Sequence, residues 1–82
     1  MNEDDIWQRL TLVFRDIFDD ESIVIGPETT AKDIEGWDSL SNIELLVAIE
    51  KAFSPVKFNV GEVANLRNVG EMVAVIQQKA RN

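Results

Sequence analysis

Apolar residues near the start of the chain recur every three or four positions, the spacing of one face of an α-helix. Asn2 or Glu3 precedes this stripe, and acidic side chains fill the first turn, as is typical of a helix N-terminus. The pattern predicts a first helix over residues 3–18. Its predicted core face comprises Ile6, Leu10, Val13, Phe14, Ile17 and Phe18.

A second apolar pattern predicts a helix from Ser39 to Phe53. Successive helical residues are rotated by about 100°, which separates its apolar residues into two faces. The face expected to enter the core comprises Leu45, Leu46, Ile49 and Phe53. The opposite face comprises Leu40, Ile43 and Val47, beside Glu44 and Lys51. An apolar strip with a charged rim is typical of a docking surface, although a neighbouring loop could also cover it.

The segment between these helices, residues 19–37, lacks helical periodicity and contains Gly26, Pro27 and Gly36. It is predicted to be a long loop, and loops of this length inside compact domains are often functional. Its apolar residues Ile23, Ile25 and Ile34 are expected to anchor it in the core. A short strand at residues 22–25 is conceivable, but it would have no obvious partner strand.

Two Asn-x-x-Glu sequences mark the remaining helix starts, because this spacing resembles a capping box. Asn59 and Glu62 predict a short helix that ends near Leu66, and Asn68 and Glu71 precede a last apolar segment. The chain is therefore predicted to be all-α. We expect a four-helix bundle with three longer helices and one short helix, a long loop between the first and second, and a single domain over residues 1–82.

Composition limits what so small a chain can do. It has 82 residues and contains no His, Cys or Tyr, which removes disulfides, thiolate metal sites and the usual base of neutral pH. A chain of this size has no room for an enclosed, water-excluding pocket. We therefore predict that it is not an enzyme and assign no catalytic residue and no metal ligand. No apolar run reaches the ~18 residues of a membrane span and no signal region is recognisable, so we expect a cytoplasmic protein without membrane insertion.

Charge is unevenly distributed along the chain. The net charge is −7, and thirteen of the fifteen acidic residues lie within residues 1–50. Such a field repels nucleic acid and anionic membranes and attracts basic protein surfaces. The expected partners are therefore proteins rich in Lys and Arg. The acidity could also serve solubility alone.

One serine lies where the second helix is predicted to begin. Asp38 is suited to cap that helix, and Ser39 would project from its first turn. A phosphate ester on Ser39 would lie near unpaired helix amides, although Asp38 and Glu35 would oppose its charge. Gly36 permits the turn into the helix, and Trp37 would be either a core residue or an apolar wall beside an attached group. As a bare tripeptide, Asp-Ser-Leu is also found at ordinary helix starts.

In its wider context this segment resembles the acyl carrier protein family. The resemblance rests on Gly36-Trp37-Asp38-Ser39-Leu40, followed by Ile43-Glu44-Leu45 and Ala48-Ile49-Glu50, and extends over nearly the whole chain. It implies that a phosphopantetheinyl transferase, using magnesium, esterifies Ser39 with 4'-phosphopantetheine from coenzyme A. It further implies that Asp38 helps the transferase complex to form. Acyl-loading and acyl-transfer enzymes would then dock on the second helix. The predicted contact residues are Leu40, Ile43, Glu44 and Val47.

Some residues depart from the fatty-acid members of that family. Ser41, Asn42 and Lys51 stand on a helix that is usually more acidic, which favours a specialised pathway such as polyketide, nonribosomal peptide or surface-polymer assembly. A carrier of fatty-acid biosynthesis remains the alternative. A second alternative is a non-covalent interaction module in which Ser39 is unmodified. In each case we expect a monomer.

Overall fold

The computed structural model describes residues 2–54, 56–59 and 66–80. Within these ranges the chain forms three α-helices, α1 (Glu3–Ile17), α2 (Ser39–Ala52) and α3 (Val69–Ala80), and one 3₁₀ turn at Ala31–Asp33. These ranges contain no strand, so the predicted all-α class is confirmed and residues 22–25 are loop. Most of the short helix predicted from Asn59 to near Leu66 falls on residues 60–65, which lie outside the described residues.

Polar side chains cap each helix start as the sequence predicts. Asn2 Oδ1 accepts a hydrogen bond from the Asp5 N–H at 2.9 Å, and Asn68 Oδ1 accepts one from the Glu71 N–H at the same distance. Asp38 caps α2. The first two helices each end one residue before the predicted limit, because Phe18 and Phe53 are C-cap residues with non-helical backbone angles.

The apolar side chains selected by helical spacing form a shared core. α1 packs against both α2 and α3. The loop residues Ile23, Ile25 and Ile34 are buried in the same cluster, which confirms their predicted role as anchors. The helical residues of the core are Ile6, Leu10, Phe14, Leu45, Leu46, Ile49, Val69, Met72, Val73 and Ile76.

Backbone hydrogen bonds join the long loop to the start of α3. The N–H of Val69 donates to the carbonyl of Thr29 at 2.9 Å, and the N–H of Gly70 donates to the carbonyl of Pro27 at 3.0 Å. These are two of the amides that a helix start leaves without intrahelical partners. A Cβ on Gly70 would lie 2.7 Å from the Pro27 carbonyl oxygen. Glycine is therefore what allows the loop to approach α3 so closely.

Two arginines of α1 further fix the ends of neighbouring segments. Arg15 Nε donates to the Ile23 carbonyl at 2.9 Å, and Arg9 Nη1 donates to the Ala52 carbonyl at 3.0 Å. The Arg9 guanidinium also lies 5.6 Å from the centre of the Phe53 ring. The loop and the C-terminus of α2 are thus both held against α1. None of the helices in the described ranges is long and apolar enough to cross a membrane.

Candidate attachment site and docking surface

The carboxylate of Asp38 organises the start of α2. Its Oδ1 atom accepts hydrogen bonds from the N–H of Leu40 at 3.0 Å and of Ser41 at 2.9 Å. Hydrogen bonds hold the pKa of the Asp38 carboxyl below its ordinary value. The Ser41 N–H has the largest effect, and the Ser41 hydroxyl and the Leu40 N–H contribute less. Asp38 is therefore ionised at neutral pH, and its charge lies at the positive end of the helix dipole.

Ser41 completes a reciprocal cap with Asp38. The Asp38 N–H donates to Ser41 Oγ at 2.8 Å, and the Ser41 hydroxyl is 2.7 Å from the carbonyl oxygen of Gly36, to which it can donate. Gly36 has a φ of 90°, a conformation that glycine adopts without steric cost. The hydroxyl of Ser41 is thus used in holding the turn before α2.

Ser39, by contrast, has a hydroxyl open to solvent. It is the first residue of α2 and is exposed. Within the described part of the chain, its Oγ atom has no hydrogen-bond partner. The two serines of this motif therefore differ in availability, and only the hydroxyl of Ser39 can be modified without disrupting the cap.

The expectation that a phosphate ester on Ser39 would meet unpaired helix amides needs a correction. The N–H groups of Leu40 and Ser41 are both bonded to Asp38, and the Asn42 N–H bonds to the Asp38 carbonyl at 2.9 Å. The Asp38 carboxylate thus already uses two of the first-turn donors, the N–H groups of Leu40 and Ser41. Fewer amides remain for a phosphate than at a helix start without a carboxylate cap.

Trp37 packs against two aromatic rings of α1 and its C-cap and also lines a surface cleft. Its ring lies 5.2 Å from that of Phe14 in an edge-on arrangement and 6.2 Å from that of Phe18. Its indole nitrogen donates to Asn42 Oδ1 at 3.0 Å. Trp37 therefore packs against the core, and it also borders a surface cleft beside Ser39.

That cleft separates the start of α2 from the segment leading into α3. Its volume is about 350 Å³. Its large apolar lining residues with some exposure are Trp37 and Leu66, and its charged ones are Asp38 and Arg67. In the described part of the chain, its lining residues are Ala31, Trp37, Asp38, Ser39, Asn42, Leu66, Arg67, Asn68 and Met72.

The outer face of α2 is exposed as predicted. The residues Leu40, Ile43 and Val47 are 69%, 61% and 46% exposed, whereas Leu45 and Ile49 on the opposite face are fully buried. Glu44 is exposed on the same helix. The long loop therefore leaves most of this strip uncovered. We define Leu40, Ile43, Glu44 and Val47 as the α2 strip.

Three features of the site were not predicted from the sequence. Asn42 and Ser41, which were expected only to make α2 less acidic, hold Trp37 and the cap, respectively. Arg67 was not assigned to the site. The 3₁₀ turn at Ala31–Asp33 borders the cleft and begins with a reciprocal cap between Thr30 and Asp33; the spacing Thr-x-x-Asp is a signal that could have identified it.

Comparison with known proteins agrees with this geometry. The sequence model of the phosphopantetheine attachment site matches residues 8–76. The fold is similar to the solution NMR structure of a holo acyl carrier protein from Geobacter metallireducens, with 43% sequence identity and a TM-score of 0.85. The similarity covers 92% of this chain and 85% of that one. The chain belongs to the acyl carrier protein family. Comparison with curated protein sequences gives no match.

As an acyl carrier protein, the chain is a carrier and not an enzyme, and it bears covalent 4'-phosphopantetheine. Members of this family interact with phosphopantetheinyl transferases and acyl-handling enzymes. The site fits the group, since the hydroxyl of Ser39 is accessible and a cleft with apolar walls lies beside it. The family match disfavours a purely non-covalent interaction module.

Proposed function

We propose that 4'-phosphopantetheine is attached to Ser39 Oγ and that the protein uses it to move acyl groups between partner enzymes. The observation that carries the assignment is the contrast between the two serines after Asp38. The hydroxyl of Ser41 lies 2.7 Å from the Gly36 carbonyl oxygen and 2.8 Å from the Asp38 N–H. That of Ser39 has no hydrogen bond within the described residues and is exposed.

The chain itself contributes position and recognition. When bound, 4'-phosphopantetheine supplies a terminal thiol on which an acyl group is carried as a thioester. Asp38 and Ser41 hold the backbone around Ser39 in one geometry, so that a transferase meets this residue in the same position at each encounter. Trp37 and Leu66 offer apolar surface along the cleft. Tethering then raises the local concentration of the acyl group at a docked partner.

The α2 strip is the surface we assign to partner docking. It begins next to Ser39 and continues along the exposed side of α2, with 69% of Leu40 and 61% of Ile43 accessible. Glu44 lies in the strip, and the chain carries a net charge of −7. These features match a partner surface with an apolar centre and basic residues around it. The partners in question are the phosphopantetheinyl transferase, for which Asp38 provides a further contact, and the acyl-loading and acyl-transfer enzymes.

The pathway we propose is a specialised one, in polyketide, nonribosomal peptide or surface-polymer assembly. Support comes from α2 itself, where Ser41 and Asn42 have structural tasks in the cap and at Trp37 and where Lys51 is exposed. These residues give the docking helix a weaker negative charge than a helix rich in acids. Fatty-acid biosynthesis is the alternative pathway. We also propose a monomeric, cytoplasmic carrier whose residues 1–82 form one four-helix domain.

Peptide mapping tests the attachment site. The protein is produced together with a broad-specificity phosphopantetheinyl transferase and digested, and tandem mass spectrometry locates the modification among Ser22, Ser39, Ser41 and Ser54. The proposal predicts modification at Ser39 alone. Modification at Ser41 or at either of the other serines would overturn it.

A further inference from the structure

Arg67 lies across the cleft from Ser39. The cleft is bordered on one side by residues 37–39 and Asn42 and on the other by residues 66–68. The N–H of Arg67 donates to Glu71 Oε1 at 2.6 Å, and the N–H of Glu71 donates to Asn68 Oδ1 at 2.9 Å. The backbone of Arg67 is thus fixed to the first turn of α3. Its position beside the cleft is consequently set by the start of that helix.

The side chain of Arg67 is available for a ligand. Arg67 is exposed, and in the part of the chain that the structure describes its guanidinium takes part in no hydrogen bond or ion pair. Glu71, the nearest acid in sequence, uses its carboxylate to accept the Arg67 N–H. Among the described residues that line the cleft, Arg67 is the one with a cationic side chain.

A cation near Ser39 would favour a phosphodiester there. The carboxylate of Asp38 is adjacent and negative, and its hydrogen bonds already use the N–H groups of Leu40 and Ser41. The start of α2 therefore offers the phosphate fewer donors than a helix N-terminus without a carboxylate cap. A guanidinium supplies charge and two parallel N–H donors that match phosphate oxygens.

We propose that the Arg67 guanidinium binds the phosphodiester of the Ser39-linked arm, so that the arm is held along the cleft between α2 and the start of α3. This inference rests on the proposed attachment at Ser39. Its consequence is that the arm runs along the cleft beside Trp37 and Leu66 and spends less time free in solvent. The pair is exposed, so salt should weaken it.

NMR spectroscopy of the loaded and unloaded protein tests the inference. The Arg67 Nε–H resonance is expected to shift on loading and to return toward its unloaded position at high salt. In Arg67→Gln, the ³¹P resonance of the loaded protein should move and its relaxation should report faster local motion. Arg67→Lys should restore part of the difference, because it keeps the charge without the paired donors. Lys57→Gln removes one cation that does not line the cleft and should leave the ³¹P signal unchanged.

The outcomes separate the two proposals. Mass spectrometry first establishes that each sample carries the arm. A protein that cannot be loaded contradicts the attachment proposal and, with it, the role of Arg67. A loaded protein whose Arg67 Nε–H resonance does not respond, with the same ³¹P relaxation in Arg67→Gln as in the unsubstituted chain, overturns the role of Arg67 alone.

Discussion

The indole nitrogen of Trp37 donates a hydrogen bond to Asn42 Oδ1 at 3.0 Å. This bond joins the turn before α2 to the end of the first turn of the helix and spans the position of Ser39. The ring of Trp37 is held on its other side by Phe14, at 5.2 Å. The residue before the Asp-Ser-Leu sequence is thus fixed from two directions, which makes one wall of the cleft rigid.

Replacing Asn42 by Ala should loosen this wall. The half-buried indole N–H loses its acceptor, and the loss of one such hydrogen bond costs about 1 kcal/mol. Urea denaturation should show that decrease in the free energy of unfolding, and the indole proton of Trp37 should exchange faster with solvent. Asn42→Asp keeps an acceptor oxygen and serves as the control. Equal exchange rates in the Ala variant and the unsubstituted protein would show that packing alone holds Trp37.

Replacing Gly70 by Ala should destabilise the protein, although Ala is the better helix former. A Cβ at this position would lie 2.7 Å from the Pro27 carbonyl oxygen. Overpacking of this kind costs about 1–3 kcal/mol, whereas the gain in helix propensity is at most about 1 kcal/mol. We expect a net loss in the free energy of unfolding, measured by urea denaturation.

The matched control for that substitution is Gly26→Ala. The nearest atom to a Cβ on Gly26 is Thr29 Oγ1, at 3.9 Å, which is an ordinary contact distance. This variant should therefore be close to the unsubstituted protein in stability. A Gly70→Ala variant as stable as Gly26→Ala would mean that the loop can withdraw from α3 without cost.

The helices could be predicted from the sequence because they depend on the spacing of apolar side chains and on capping side chains. Apolar spacing identified the buried face of α2 and its exposed strip, and Asn2, Asp38 and Asn68 identified the helix starts. The attachment of the loop to α3 could not be predicted in the same way. It depends on the carbonyls of Pro27 and Thr29, and backbone acceptors carry no sequence signal. Nor could the sequence predict that Arg67 lies beside the same cleft as Ser39, because the fold alone brings these two residues together.

The hydrogen bonds of Asp38 should make the stability of the protein depend on pH in the acidic range. They lower the pKa of Asp38 in the folded protein from the ordinary value of 3.8, so the unfolded chain binds this proton more strongly. The stabilisation is present above that ordinary value and is lost as the pH falls through the lower, folded pKa. NMR titration of the Asp38 carboxyl carbon should give a midpoint below 3.8.

Asp38→Asn provides the comparison, because Asn also caps helices but does not titrate. Its stability should decline less between neutral and acidic pH than that of the unsubstituted protein. Some acid sensitivity should persist, since the hydrogen bonds of Ser22 lower the pKa of Asp20 as well. A midpoint at or above the ordinary value for Asp38 would contradict this description of the cap.

Reversing the charge of Glu44 should slow the reactions of enzymes that bind the α2 strip. Glu44→Lys is expected to reduce the rate of loading by a phosphopantetheinyl transferase about fivefold at low salt, equivalent to roughly 1 kcal/mol for an exposed charge. The difference should shrink at high salt as screening increases. Glu21→Lys makes the same charge change beside Leu12 and Arg15 of α1 and should have little effect. Equal rates for both variants would place recognition away from Glu44.

The central claim, that Ser39 carries the prosthetic group, is tested most directly by the intact mass of the protein. The purified chain, Ser39→Ala and the control Ser54→Ala are each incubated with coenzyme A, magnesium and a broad-specificity phosphopantetheinyl transferase. We expect a gain of one phosphopantetheine on the unsubstituted chain and on Ser54→Ala, and none on Ser39→Ala, whose helical signal should be unchanged because the residue is exposed. Loading of Ser39→Ala, or no loading of any of the three, would contradict the assignment.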